Sequence, residues 1–419
     1  MPVSGLKEET VVFDTIKEDI MILKGITKDY TLTEDQLYIH DEEPCPCGSG
    51  KMYIDCCKEK RDMQPATSPK PVEVLVMEHM RGQLKRFHRC LHPDQGNCKG
   101  KIKEAHALQN NKILSLLGGT DNHVMMQDHT KQPIVLEKSG EAPIILIPFE
   151  KTSRNKATTQ SCFCDYHDTV VFKPIEAGAP LFDPSNEEMK FIYAYKAFIF
   201  EYSKQLFLMD SMKQNFAQKP QFFSQREQVA EYRVQCMRME EMNPIKDFYD
   251  TEIMAGTHNG VFTCAITIPR KIGFACYAYL GLDYDLNGQR VQSIDENGKM
   301  HRLSVTVIPE ENQSYILLSC LKTEEKYYHD FFQQIENSGL DKALYYFNMM
   351  LPLYSENIVF SEELWNKHGT DGQFALMHIA NLYGQDQLNM SSTIAMSLRN
   401  GAKAKNADYS RRGKIDLFQ

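Results

Sequence analysis

The stretch MKFIYAYKAFIFEYSKQLFLMDSMK, Met189–Lys213, repeats aromatic and aliphatic residues at helical spacing without a Gly or Pro. Continued from Asn186 to Met242, that periodicity predicts two or three long helices. After Pro244 the pattern changes to short runs rich in β-branched and aromatic residues: GVFTCAITIP (260–269), FACYAYLGLDYD (274–285), RLSVTVIP (302–309) and SYILLSCL (314–321). Turn residues separate them, Asn287-Gly288 among these, and an antiparallel meander is expected. From Glu324 to about Leu398 helical spacing returns, in KYYHDFFQQI and KALYYFNMML. The fold class expected is α+β: small N-terminal modules, a helical segment, then an antiparallel β-meander with C-terminal helices.

At 419 residues the chain exceeds what one hydrophobic core usually supports, so several domains are expected. The pattern divides it into an N-terminal segment (1–32), a first cysteine module (33–60), a linker RDMQPATSPKP (61–71), a second cysteine and histidine unit (72–184), a helical segment (185–245), an α+β domain (246–398) and a basic C-terminal tail (399–419). Hydrophobic residues at 42% and charged residues at 25% are ordinary for a globular protein. A net charge of -9 excludes a wholly basic nucleic-acid-binding protein. Local basic patches remain: Arg81, Lys85, Arg86 and Arg89, then Arg399, Lys403, Lys405, Arg411, Arg412 and Lys414. Such patches contact phosphates or are merely solvated.

MPVSGLKEETVVFD has no basic region leading into an apolar run, so no secretory signal is expected. Lys196, Glu201 and Lys204 interrupt the longest apolar stretch, Phe191–Met209, which argues against a membrane span. A cytoplasmic location is the expectation. Twelve cysteines in a reducing compartment read as metal ligands or buried thiols rather than disulfides. Cys236, Cys264, Cys276 and Cys320 are scattered in mostly apolar contexts and read as inert core residues. His258, His301, His329, His368 and His378 are isolated, and Trp365 is expected to anchor a helix.

In the segment from Pro44 to Cys57, PCPCGSGKMYIDCC, cysteines 45, 47, 56 and 57 follow the spacing C-x-C-x8-C-C. Two thiol pairs at the ends of a tight hairpin suit tetrahedral zinc, and Gly48 and Gly50 relieve the backbone where it folds back. Four thiolates leave no open coordination position, so this zinc is structural. The segment resembles the SEC-C motif, known from the C-terminal tail of the bacterial translocase motor SecA. The resemblance covers about fourteen residues and implies a small module that docks a protein partner.

A second constellation is CLHPDQGNC, Cys90–Cys98, followed by the run Ile102–Gln109 with Ala105-His106, and then FCDYHD, Phe163–Asp168. Cys90, Cys98, Cys164 and His167 form two ligand pairs for one zinc, with Cys162 as an alternative to Cys164. This arrangement resembles a divergent HNH nuclease, a ββα-metal or treble-clef unit. The resemblance implies that His106 is the general base and Asp168 a ligand of a catalytic Mg2+ or Mn2+ ion. It departs in carrying alanine before the histidine and Asp168 where a histidine is usual, and the middle Asn falls on Asn110, Asn111 or Asn122. The structural alternatives are a His106 that is packed in the core or is an extra ligand, and an Asp168 that orients His167. Two functions follow: a metal-dependent endonuclease acting on nucleic acid, or a zinc-scaffolded adaptor that engages a protein.

Overall fold

The computed structural model describes residues 20–21, 32–61, 87–128, 134–136, 144–178, 180–291, 294–296, 298–382, 384–404 and 407–419. Arg81, Lys85, Arg86 and Lys405, and nearly all of the 61–71 linker, lie outside the described residues.

The α+β expectation is borne out. Two short strand pairs, β1 (Ile20–Met21) with β2 (Leu32–Thr33) and β5 (Ile134–Leu136) with β6 (Ile144–Leu146), stand apart from the main sheet. All four predicted β runs form strands: β9 (Val261–Ile268), β10 (Phe274–Leu280), β11 (Leu303–Pro309) and β12 (Ser314–Leu321). They join β4 (His123–Gln127), β7 (Phe149–Ser153) and β13 (Asn357–Phe360) in a seven-stranded antiparallel sheet of order β7-β4-β13-β10-β11-β12-β9. The meander proper is β10-β11-β12. β9 closes on β12 rather than on its sequence neighbour, so the tight β9–β10 pairing that a simple meander requires does not occur.

Strand alternation divides the side chains between two cores. Ala275 and Tyr277 of β10 face the core built with the long helices, whereas Phe274, Cys276 and Ala278 face the C-terminal helices. Covering both faces explains why every residue of β11 is buried.

The predicted helical segment is a hairpin of two long helices. Before it comes α1 (Asp165–Glu176); the pair itself is α2 (Glu187–Gln218) and α3 (Arg226–Ala255). The Asn186 side chain caps α2 by accepting from the Met189 N–H at 3.0 Å. α3 runs through Pro244, where the sequence pattern placed a boundary, and ends at Gly256 in the left-handed region, φ 66°. Burial of Met242, Ile245 and Tyr249 outweighs the hydrogen bond that a helical proline forfeits.

The C-terminal helices are α4 (His329–Asn337), α5 (Leu340–Tyr354), α6 (Glu362–Lys367), α7 (Gly369–Ala380) and α8 (Gly384–Lys403). Trp365 of α6 packs on Phe149 and Phe360, ring centroids 4.9 and 5.8 Å away, and so ties its helix to the sheet. The 399–419 stretch is helical at first, and its end is tucked in: Leu417 and Phe418 are fully buried. No described helix is long and apolar enough to cross a membrane.

Candidate metal centres

The first centre sits on the tip of the long-helix hairpin. A bridge between Pro44 and Met52, with Cys45 N donating to Lys51 O at 2.8 Å, closes the loop. Gly48 and Gly50 adopt φ of 75° and 76°, the conformation that glycine accepts most readily. The backbone N–H groups of Cys56 and Cys57 both reach Tyr53 O, which turns the last two thiols toward the first pair. The result places Cys47 Sγ 3.5 Å from Cys56 Sγ, and Cys56 Sγ 3.7 Å from Cys57 Sγ. A tetrahedron with zinc–sulfur bonds of about 2.3 Å has edges of about 3.8 Å, so these separations suit a shared zinc. They are far beyond a disulfide bond.

Burial pushes Cys45 up and Cys57 up to about 11. Burial would raise Cys47 as well, but hydrogen bonds involving Ser49 and Cys45 draw it down to about 7, so it ionises more readily than Cys45 or Cys57. Phe216, Phe222, Phe223 and Tyr53 form the apolar seat of the module. Arg233 of α3 clamps it, donating to both Glu43 oxygens at 2.8 and 2.6 Å and to Tyr38 O at 2.8 Å.

The second centre draws on segments far apart in sequence. The irregular segment 89–91 runs along β8 (Thr159–Cys164), with Leu91 N donating to Cys162 O at 2.9 Å. After a short turn at Gln95–Asn97 comes Cys98, and then β3 (Ile102–His106), which pairs antiparallel with β8. β8 ends at Cys164 and α1 starts on the next residue, presenting His167 in its first turn. Backbone N–H groups of Asp165 and Tyr166 reach Lys101 O and Lys99 O, locking the helix start onto the knuckle. Gly100 lies in this contact: a Cβ there would stand 2.7 Å from Asp165 Oδ2.

His167 Nδ1 lies 3.4 Å from Cys90 Sγ, 3.7 Å from Cys98 Sγ and 3.3 Å from Cys164 Sγ. Zinc bonds of about 2.3 Å to sulfur and about 2.0 Å to nitrogen give an S···N edge of about 3.5 Å. The four atoms of each centre lie within 4.8 Å of one another, and each group can hold a zinc ion. The structure thus brings together both ligand sets named from the sequence. Cys162, two residues from Cys164, is fully buried and outside the group.

His106 and Asp168 belong to neither metal group. His106 closes β3 with Nδ1 2.9 Å from Ala157 O. A carbonyl only accepts, so Nδ1 carries the proton and Nε2 keeps its lone pair. Desolvation lowers the His106 pKa, which keeps the ring neutral. Asp168 follows His167 in α1, is nearly fully buried, and accepts from Lys103 Nζ at 2.7 Å. Asn110 is hydrogen-bonded to Asn155, and Asn122 sits in a turn at φ 58°.

Several contributors had no local signal in the sequence. His92 stacks on His167, rings 3.8 Å apart and 11° from parallel, closing one face of the second centre. Glu176 and Lys196 form a pair at 2.6 Å whose charges act on His106. Comparison of the chain with protein-family models, curated proteins and solved structures gives no match.

Proposed function

We propose that this chain carries two structural zinc ions, and that the second supports a phosphodiester-cleaving unit of the knuckle, ribbon and helix kind. The observation that carries the reading is the ring of Cys90, Cys98 and Cys164 sulfurs at 3.3 to 3.7 Å around His167 Nδ1, on the elements that hold His106 and Asp168. His106 has the protonation of a general base: Nδ1–H is committed to Ala157 O, and Nε2 can take a proton from water. Exposed Lys99 and Lys101 border the unit, Lys99 with its ammonium 4.8 Å over the partly exposed Tyr166 ring, and they supply a phosphate track for nucleic acid.

Two measurements test this. Metal analysis should find two zinc ions per chain, falling to one in Cys47→Ser and to one in Cys164→Ser; an unchanged count in either variant would remove that centre. Purified protein should cleave plasmid, single-stranded DNA or RNA, and His106→Ala should reduce the rate about a hundredfold or more, the scale of a lost general base.

A second reading, an adaptor with no catalysis, is favoured by one surface. Tyr38, Met52 and Ile54 of the first module are each 48% exposed and offer apolar contacts to a protein partner. Absence of cleavage together with nucleic-acid affinity insensitive to salt or undetectable would favour it.

A further inference from the structure

We infer that the His106 site handles a phosphate group without a divalent ion, the ammonium of Lys103 holding the cation position beside Asp168. The inference rests on the phosphodiester reading above and concerns how that site manages charge. Two carboxylates act electrostatically on His106, Asp168 and Glu176. Each is already matched by a lysine: Lys103 Nζ lies 2.7 Å from Asp168 Oδ2, and Lys196 Nζ lies 2.6 Å from Glu176 Oε1.

Asp168 and Lys196 are the buried members, 5% and 4% exposed, so each would be left as an uncompensated buried charge if its half-exposed partner moved away. With His106 neutral, the two pairs sum to no net charge. Mg2+ and Mn2+ favour oxygen ligands, and here a divalent ion would have to expel a lysine to reach a carboxylate. Among the described residues, the groups able to hold a metal are the two cysteine clusters, and neither includes Asp168 or Glu176. The residues therefore do not fit a Mg2+ or Mn2+ site.

They do fit a monoanionic phosphodiester. Lys103 is 42% exposed, so its ammonium can meet a phosphate oxygen from solvent while Asp168 keeps it in place. In hydrolysis, the oxygen of a water molecule bonds to phosphorus as its proton passes to His106 Nε2. The bond from phosphorus to the departing oxygen breaks, that oxygen takes a proton from solvent water, and His106 gives its proton to the hydroxide so formed, which restores the neutral ring. Lys103 stays protonated throughout and offsets the charge that builds on the phosphoryl oxygens.

The test uses full-length, zinc-loaded protein freed of other divalent ions, with two readouts. In electron paramagnetic resonance titrations with Mn2+, the wild type should bind no ion at this site, whereas Lys103→Ala should gain one that Lys103→Ala/Asp168→Asn loses. A wild-type Mn2+ site abolished by Asp168→Asn would overturn the inference. In cleavage assays on single-stranded DNA and RNA oligonucleotides, wild-type rates should be the same with and without Mg2+. Lys103→Gln should slow cleavage at least tenfold and Lys103→Arg should retain most of it, with unchanged zinc content showing that both variants fold. Cleavage that requires Mg2+ or Mn2+ overturns the inference and leaves the phosphodiester reading standing. No cleavage under either condition removes that reading, and the inference with it.

Discussion

A buried histidine with both ring nitrogens engaged is a different object from one facing water, and His368 shows the consequence. Its Nδ1 donates to Leu364 O at 2.8 Å, and its Nε2 accepts from Asp416 N at 3.3 Å. Burial lowers its pKa below the ordinary value of 6.5. The folded state therefore binds this proton less readily than the unfolded chain does. Its stabilising contribution is complete above about pH 6.5 and is lost as pH falls through the folded pKa. Denaturant unfolding of wild type and His368→Gln should show a wild-type advantage at pH 7 that shrinks toward pH 5; an advantage constant across that range would contradict the assignment. At this scale cysteines 45, 47, 56 and 57 were legible from spacing alone, because a fourteen-residue loop closes on its own. The partners of His368 were not legible, since Asp416 is 48 positions away.

Among the elements, the decisive contact is between the first cysteine module and α3. Arg233 reaches Glu43, Tyr38 O and, at 3.2 Å from its Nε, Gln36 O. Hydrogen bonds to a charged group are worth about 1.5–3 kcal/mol each at most, and partial exposure of the pair reduces that. Arg233→Ala should leave two zinc ions bound but speed amide hydrogen exchange across 32–61, with a docking loss of about 2 kcal/mol. Exchange as slow as wild type would show that the apolar seat of Phe216, Phe222 and Phe223 holds the module unaided. Helix and strand types were legible here because side-chain period reports them directly. The α3 boundary was not: Pro244 is a stop signal by propensity, and tertiary burial overrode it.

Over the whole molecule, the sheet ties together spans that the sequence divides. β4 and β7, from within 72–184, extend the sheet through β13, and the chain end returns to the core beneath β10. Phe418 packs on Phe274 at 5.3 Å, and Leu417 N donates to Asn348 Oδ1 at 2.7 Å. Burying one such side chain contributes about 1.5–3 kcal/mol, so removing residues 415–419 should cost about 3–6 kcal/mol. Against a typical total of about 5–15 kcal/mol this should lower the calorimetric midpoint markedly. A truncated protein as stable as the full chain would show that the terminus packs without consequence.

The amino-acid order by itself determined the α+β class, the four strands from 261 to 321, the long helices and which thiols and imidazole are able to hold a metal. These are set by period and by thiol and imidazole chemistry, which neighbouring residues carry. Only the tertiary structure decided that Cys90 and Cys98 meet Cys164 and His167, that β9 lies against β12, and that Lys103 faces Asp168. The pairs Lys103–Asp168 and Arg233–Glu43 span 65 and 190 positions. Such contacts form because burying apolar faces against one another fixes where distant segments lie, a condition of the whole core rather than of any local pattern.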